Sequence, residues 1–313
     1  MKIVCGTDFS EAAKDAAEVA AAMAAKLEVP LHLIHCVSDW LVPADMPTDE
    51  FLEPDARRSL TAESLRLSKP GLKISTELLH GNAAHHLLAA SASETVCLVV
   101  GSTGKGTMQR LLLGSVSEHI SQKCMAPVLV VKEKESLLDW LDGEVPLRTL
   151  CAAEFTESGD DAVQAMKLLT GLGELSFEVA HIIATDMLLI QAAGFISQPI
   201  TDDAEAPEKI VSLQRDLADQ SRDALGIVPD AVYIRQSLGN PAYEFLSLAH
   251  ERNTELIVLG SHHRQGLSRL AHPSFSRRIL GHSTANVLCV PICVAANQRE
   301  HRGHLATVFS DID

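Results

Sequence analysis

The chain restates itself halfway along. Val4-Cys5-Gly6-Thr7-Asp8-Phe9-Ser10-Glu11 aligns without a gap on Leu150-Cys151-Ala152-Ala153-Glu154-Phe155-Thr156-Glu157, and His35 falls on His181 at the same offset. Further on, Gly81-Asn82 matches Gly239-Asn240, and Leu98-Val99-Val100-Gly101-Ser102 matches Ile257-Val258-Leu259-Gly260-Ser261. Near the end Ala126-Pro127-Val128-Leu129 matches Ala285-Asn286-Val287-Leu288. A pattern that restarts in this way describes two copies of one folding unit. The 313 residues are enough for two domains of ordinary size. Residues 1–136 form the first copy, 137–146 a linker, 147–295 the second copy, and 296–313 a tail outside the repeat.

Each copy alternates strand and helix signals. Residues 2–8 are an apolar run ending in Thr7-Asp8-Phe9-Ser10, and the alanine-rich segment through Lys26 is apolar on more than one face. That predicts a strand, a turn and a helix packed on its neighbours. Leu31 to Val37 reads as a second strand and the Pro- and Asp-rich Ser38 to Pro54 as a loop or lid. Ala56 to Ser68 reads as helix, Leu72 to Leu79 as strand, and Gly81-Asn82 turns into a helix from Ala83 to Ser93. Val96 to Val100 is a fourth strand, a helix runs through Lys123, Ala126-Pro127 breaks it, and Val128 to Lys132 is a fifth strand. This order predicts an α/β fold with a parallel sheet covered on both faces.

Between the fourth strand and the next helix lies the spacing G-x-x-G-x9-G-[ST], carried by Gly101, Gly104, Gly114 and Ser115. Glycines let backbone N–H groups approach a phosphate, and the positive end of the following helix favours an anion. The competing account is a tight turn with a helix cap. Asp8, at the carboxyl end of the first strand, could accept from ribose hydroxyls, help hold a metal, or serve the first turn of its helix. Lys105 and Arg110 would offset phosphate charge or face solvent. In the second copy the motif positions become Gly260, His263, Pro273 and Ser274, and Asp8 becomes Glu154. Proline has no N–H to offer. If the glycines served the fold alone the second copy would need them too, so the difference favours a ligand as their reason. The run His262-His263-Arg264, Arg269 and Arg277-Arg278 is a solvated basic face or a site for something else.

Other chemistries lack their residues. No G-x-G-x-x-G follows the first strand, and Gly104-Lys105-Gly106-Thr107 has Val99 where a phosphate-loop glycine would stand. Ser115 has no assignable histidine and carboxylate partners and no G-x-S-x-G is present, so no catalytic residue is assigned. The net charge of -15 repels nucleic acid and anionic lipid. No apolar run is long enough to span a bilayer and no leader follows Met1, so the cytoplasm is the expected location. Of seven cysteines, Cys5, Cys36, Cys97, Cys151, Cys289 and Cys293 lie in strand-like runs as small buried hydrophobes, leaving Cys124 as the exposed one. The fourteen histidines, including His85-His86, show no metal-binding spacing, so no metal ligand is assigned.

On Thr7-Asp8, the Gly101 loop, and the run from Gly239-Asn240-Pro241-Ala242 to Ile257-Val258-Leu259-Gly260-Ser261, the chain resembles a tandem universal stress protein over residues 1–133 and 147–295. The resemblance implies two doubly wound domains, each a five-stranded parallel sheet of order 3-2-1-4-5 with helices on both faces. It also implies ATP as the ligand of the first copy, with Mg²⁺ beside it. Carried over by position, Thr7 and Asp8 face the ribose or adenine, and Val37 contacts adenine. Gly101, Gly104, Gly114, Ser115, Val116 and Ser117 wrap the phosphates. The fifth strands, Val128 to Val131 and Val287 to Val290, would meet as a pseudo-dimer within one chain, with a further homodimer left open. The implied role is nucleotide-dependent regulation in a stress response, through a protein partner the sequence does not identify and with slow hydrolysis at most. The alternative is a nucleotide-free scaffold or interaction protein of the same fold.

Overall fold

The computed structural model describes residues 1–37, 53–92, 94–103, 114–153, 166, 168–184, 205–225, 228–237, 239–261 and 275–291. Gly104, Lys105, Arg110, Glu154, His262, His263, Arg264, Arg269, Pro273, Ser274, Cys293 and the tail lie outside them, as does most of the expected loop at 38–54. The first half runs β1 (Lys2–Gly6), α1 (Glu11–Lys26), β2 (Leu31–Val37), α2 (Glu53–Leu67), β3 (Ile74–His80), α3 (Ala83–Ala90), β4 (Thr95–Gly101), α4 (Ser115–Lys123) and β5 (Val128–Val131). After α5 (Glu135–Leu141), the second half runs β6 (Leu147–Ala152), β7 (Leu175–Ala184), α6 (Glu205–Leu225), β8 (Ala231–Ser237), α7 (Pro241–Glu251), β9 (Leu256–Ser261), α8 (Phe275–His282) and β10 (Asn286–Pro291).

The ten strands among the described residues form one sheet, ordered β3-β2-β1-β4-β5-β10-β9-β6-β7-β8. Within each half the pairing is parallel: Cys5 sits beside Leu33 of β2 and Val99 of β4, and Cys151 beside Val179 of β7 and Val258 of β9. Both faces are covered. Alternation along the strands sends Ile3, Cys5, Leu33, Cys97, Val99 and Leu129 into one core layer, and Val4, Ile34, Leu98, Val100, Val128 and Val130 into the other. β4 is therefore buried at every residue. The alanines of α1 let its axis lie close to the strands, where Ala16, Ala17, Ala20 and Ala24 are fully buried.

One expectation changes. Cys124 is buried, with 3% exposure, because α4 carries it against α3, where its Sγ lies 3.2 Å from Ser91 Oγ. Within the linker stretch 137–146, α5 runs to Leu141 and buries Leu137, Trp140 and Leu141. Trp140 packs so tightly on the second half that a Cβ on Gly173 would lie 2.5 Å from its Nε1.

The halves join through antiparallel pairing of β5 with β10, in which Leu129 faces Leu288. The amides of Lys132 and Glu133 both donate to Asn286 Oδ1, at 2.8 and 3.1 Å. Lys132 Nζ crosses the joint to donate to the carbonyls of Leu280 and Ser283 at the end of α8, at 2.7 and 2.5 Å. Those carbonyls have no intrahelical partner and carry the negative end of the helix dipole. Even so, burial pushes the Lys132 pKa down from 10.5 to about 8. Between these values the unfolded chain keeps a proton that the folded chain has lost, so unfolding free energy rises with pH. Urea midpoints of the native chain should therefore gain on those of a Lys132→Met variant as pH is raised from 8 to 10.5, the window set by those two values. A pH-independent difference would remove Lys132 as the titrating group.

Candidate functional site

β1 pairs with β2 on one side and β4 on the other, so the crossovers leave in opposite directions from its carboxyl end. Open α/β sheets have a crevice at such a switch point. Here it is a cavity of about 240 Å³. Its wall is built from Gly6, Thr7 and Asp8 after β1, Ile34 and Cys36 of β2, Ala83 and Leu87 of α3, and Val100, Gly101 and Thr103 around the end of β4. Ala13 of α1, Gly114 and the first turn of α4 (Ser115, Val116 and Ser117) complete it.

The turn after β1 is held from several directions. Thr7 Oγ1 accepts from the Phe9 amide at 3.1 Å, Asp8 Oδ1 accepts from the Ser10 amide at 3.0 Å, and Ser10 Oγ caps α1 through the Ala13 amide at 3.2 Å. Ser10, rather than Asp8, is thus the cap of the helix. Phe9 sits in the left-handed region at φ 63°, which costs a non-glycine residue about 1 kcal/mol or more. His35 holds it there, its Nδ1 2.7 Å from the Thr7 carbonyl and its ring 4.4 Å from that of Phe9. The second half repeats this brace, with His181 Nδ1 2.9 Å from the Ala153 carbonyl.

Opposite the turn, α4 begins unlike its neighbours. α1, α3 and α7 are capped by Ser10, Asn82 and Asn240, whose side-chain oxygens each accept a first-turn amide. α4 is capped by Gly114, which has no side chain to offer. The amides of Ser115, Val116 and Ser117 have no partner among the described residues, as the start of any uncapped helix requires. Gly114 itself has φ -69° and ψ 146°, open to any residue, so its missing side chain matters more than its backbone freedom. Ser117 contributes only its amide, because its hydroxyl donates to the Gly101 carbonyl at 2.7 Å.

Of the residues singled out in the sequence, Thr7, Asp8, Gly101, Gly114, Ser115, Val116 and Ser117 meet at this cavity. Val37 is not among the lining residues; it is 5% exposed, and its carbonyl accepts from Gly81 at 2.9 Å. Its neighbour Cys36 faces the cavity instead. Period-two alternation on β2 was the available signal, since Ile34 and Cys36 share a face that Val37 does not. Burial pushes the Cys36 thiol up to about 11, which keeps it neutral. Ala83 and Leu87, four apart on α3, were also legible as one helix face.

Gly101 has a packing reason of its own. A Cβ there would lie 2.6 Å from the backbone oxygen of Ala12, where α1 starts across the end of β4. Its counterpart Gly260 is retained in the second half. That half differs in the wall: Phe245 stands where Leu87 does, and Phe275 where Val116 does. The two rings meet edge to face at 5.5 Å, with Phe245 fully buried.

Chemically the cavity offers an apolar slot (Ile34, Leu87, Val100 and Val116), one carboxylate, several hydroxyls and an open helix start. The described lining contains no lysine or arginine. Among the described residues no group of three or more His, Cys, Asp or Glu is arranged to hold a metal, and no helix is long and apolar enough to cross a membrane.

A doubly wound unit repeated in one sheet, with a crevice at its switch point, defines a tandem α/β protein. The chain belongs to the universal stress protein family, which it matches over residues 1–132 and 148–291. A universal stress protein of Methanocaldococcus jannaschii is 32% identical over 139 residues, covering 42% of this chain and 82% of that protein. One from Mycolicibacterium smegmatis is 27% identical over 305 residues, covering 92% of this chain and 96% of its own length. The crystal structure of a universal stress protein from Archaeoglobus fulgidus superimposes with a TM-score of 0.62 at 19% identity, over 94% of this chain and 97% of that one.

The backbone contact at Gly101 makes a stability prediction. Gly101→Ala should destabilise the chain by about 1–3 kcal/mol in urea unfolding, through overpacking against α1. An unchanged midpoint would show that α1 can shift freely.

Proposed function

We propose that the first half binds ATP, with Mg²⁺ beside it, and that the nucleotide governs the chain's interaction with a protein partner. The observation that carries this is the start of α4, whose first-turn amides have no partner among the described residues and line the same cavity as Asp8. Phosphate oxygens would take the amides of Ser115, Val116 and Ser117, with Gly114 and Gly104 letting them approach. Amide bonds to a charged group contribute about 1.5–3 kcal/mol each, which suffices for binding without catalysis. The ribose hydroxyls would donate to Asp8 beside Thr7, and the base would lie in the slot between Ile34, Leu87 and Val100, next to Cys36. Gly101 supports the site by letting α1 and β4 close on each other. With no positioned general base, hydrolysis would be slow at most.

In this reading residues 1–136 are the nucleotide domain and 147–295 a second domain of the same fold, joined as a pseudo-dimer through β5 and β10. Phe245 and Phe275 take the place of the slot in the second half, so that half takes no nucleotide. Calorimetric titration with Mg-ATP should give a stoichiometry near one. Gly114→Asp, which places a carboxylate at the helix start, should lower affinity at least tenfold by repulsion and by capping the amides. A stoichiometry near two would overturn the reading of the second half. No heat from the native chain at millimolar ATP would leave a nucleotide-free interaction protein.

A further inference from the structure

The joint between the halves is built around a pseudo-two-fold axis, and the residues near that axis are not alike. Leu129 pairs with Leu288, its own repeat equivalent 159 residues on, which marks where the axis crosses the β5–β10 ladder. Glu118 on α4 and Arg277 on α8 are equivalents at the same spacing. They also touch: Arg277 Nε donates to Glu118 Oε1 at 2.5 Å. A residue that meets its own equivalent across an axis would meet itself in a symmetric pair. Two first halves would bring Glu118 against Glu118, and two second halves Arg277 against Arg277.

The flanking contacts are one-sided in the same sense. Lys132 reaches the end of α8, but its equivalent in the second half is Pro291, which has no group to reach α4 in return. Asn286 receives the amides of Lys132 and Glu133 and donates Nδ2 to the Glu255 carbonyl at 3.2 Å. Its equivalent in the first half is Pro127, whose side chain can do neither. Asn286 is 1% exposed and Lys132 is partly buried, so these bonds are shielded from water where partners matter most. The ladder itself, Val128 and Val130 against Cys289 and Val287, is apolar and would tolerate either pairing.

We propose that this face is a recognition surface that accepts the opposite half of the same chain and rejects a like half. Glu118, Arg277, Lys132 and Asn286 are its specificity-determining residues. The hydrophobic ladder supplies adhesion, while opposite charges on the axis and the Lys132–Asn286 lock supply discrimination. The chain then closes on itself, consumes both fifth-strand edges, and leaves β3 and β8 as the outer edges of the sheet.

Charge reversal in the full chain tests this. Glu118→Arg places two arginines on the axis and Arg277→Glu places two glutamates there. Each should raise the unfolding equilibrium constant about threefold or more in urea, as expected for turning an exposed attraction into a repulsion. Each should also speed amide exchange in Val128–Val131 and Val287–Val290, with the β1–β2 ladder unaffected. The double reversal, Glu118→Arg with Arg277→Glu, should return both readouts to within about twofold of the native chain, because the charges again oppose. Strictly additive loss in the double variant would overturn the proposal. So would single variants with native exchange at β5 and β10. Neutral Glu118→Gln and Arg277→Gln variants, which bring no like charges together, should lose less than the reversals, and an equal loss would assign the effect to side-chain packing. Asn286→Ala should raise exchange at the Lys132 and Glu133 amides, and native protection there would remove the lock.

Discussion

The pairing of β1 with β4 is the constraint on which everything else rests. It brings Cys5 beside Val99 and so fixes where the two crossover directions part. Loop closure over that separation is costly, and it is offset by placing both strands in the middle of the first half, buried on both faces. The close approach has a steric condition at its end. α1 and β4 meet backbone to backbone at Gly101, and only a residue without Cβ lets them do so. Its repeat counterpart, Gly260, is a glycine as well, in a half whose wall is otherwise remodelled.

Around this crossing, helix starts are treated in two ways. Where the chain needs a stable helix, Ser10, Asn82 and Asn240 satisfy the first-turn amides internally. At α4 the cap is Gly114 and the first-turn amides have no partner among the described residues, and the turn opposite is braced by His35 against the strain at Phe9. Rigidity on one wall and unsatisfied donors on the other make a preorganised crevice. The second half keeps the brace, through His181, but sets Phe245 against Phe275 where the first half has a slot. The brace of the turn is thus shared between the copies, and the wall of the crevice is not.

The ten-stranded sheet depends on a joint that is symmetric in backbone and asymmetric in side chains. Leu129 and Leu288 mark the axis, while Glu118 with Arg277, and Lys132 with Asn286, break the equivalence. α5 adds to this by burying Trp140, so the core layer on the α1 side runs unbroken from one half into the other. Duplication followed by divergence at the axis turns a surface that could bind its own kind into one that binds its complement.

The strands, the helices and the repeat were legible because each rests on local chemistry: period-two apolar runs, an alanine-rich helix, and Asn caps after Gly81 and Gly239. Seven of the residues named for the site came together, since turns after parallel strands converge wherever the strands lie side by side. Cys124 was misjudged because its burial comes from α4 packing on α3, which no local pattern reports. The burial of Trp140 inside the linker stretch was not legible because it packs against Gly173, more than thirty residues on. By itself, then, the sequence determined the fold class, the duplication and the divergence of the glycine motif, all set by near neighbours along the chain. Tertiary structure alone decided which glycine answers to packing, which helix starts uncapped beside Asp8, and which charges meet on the axis. Those depend on distances between segments far apart in the chain.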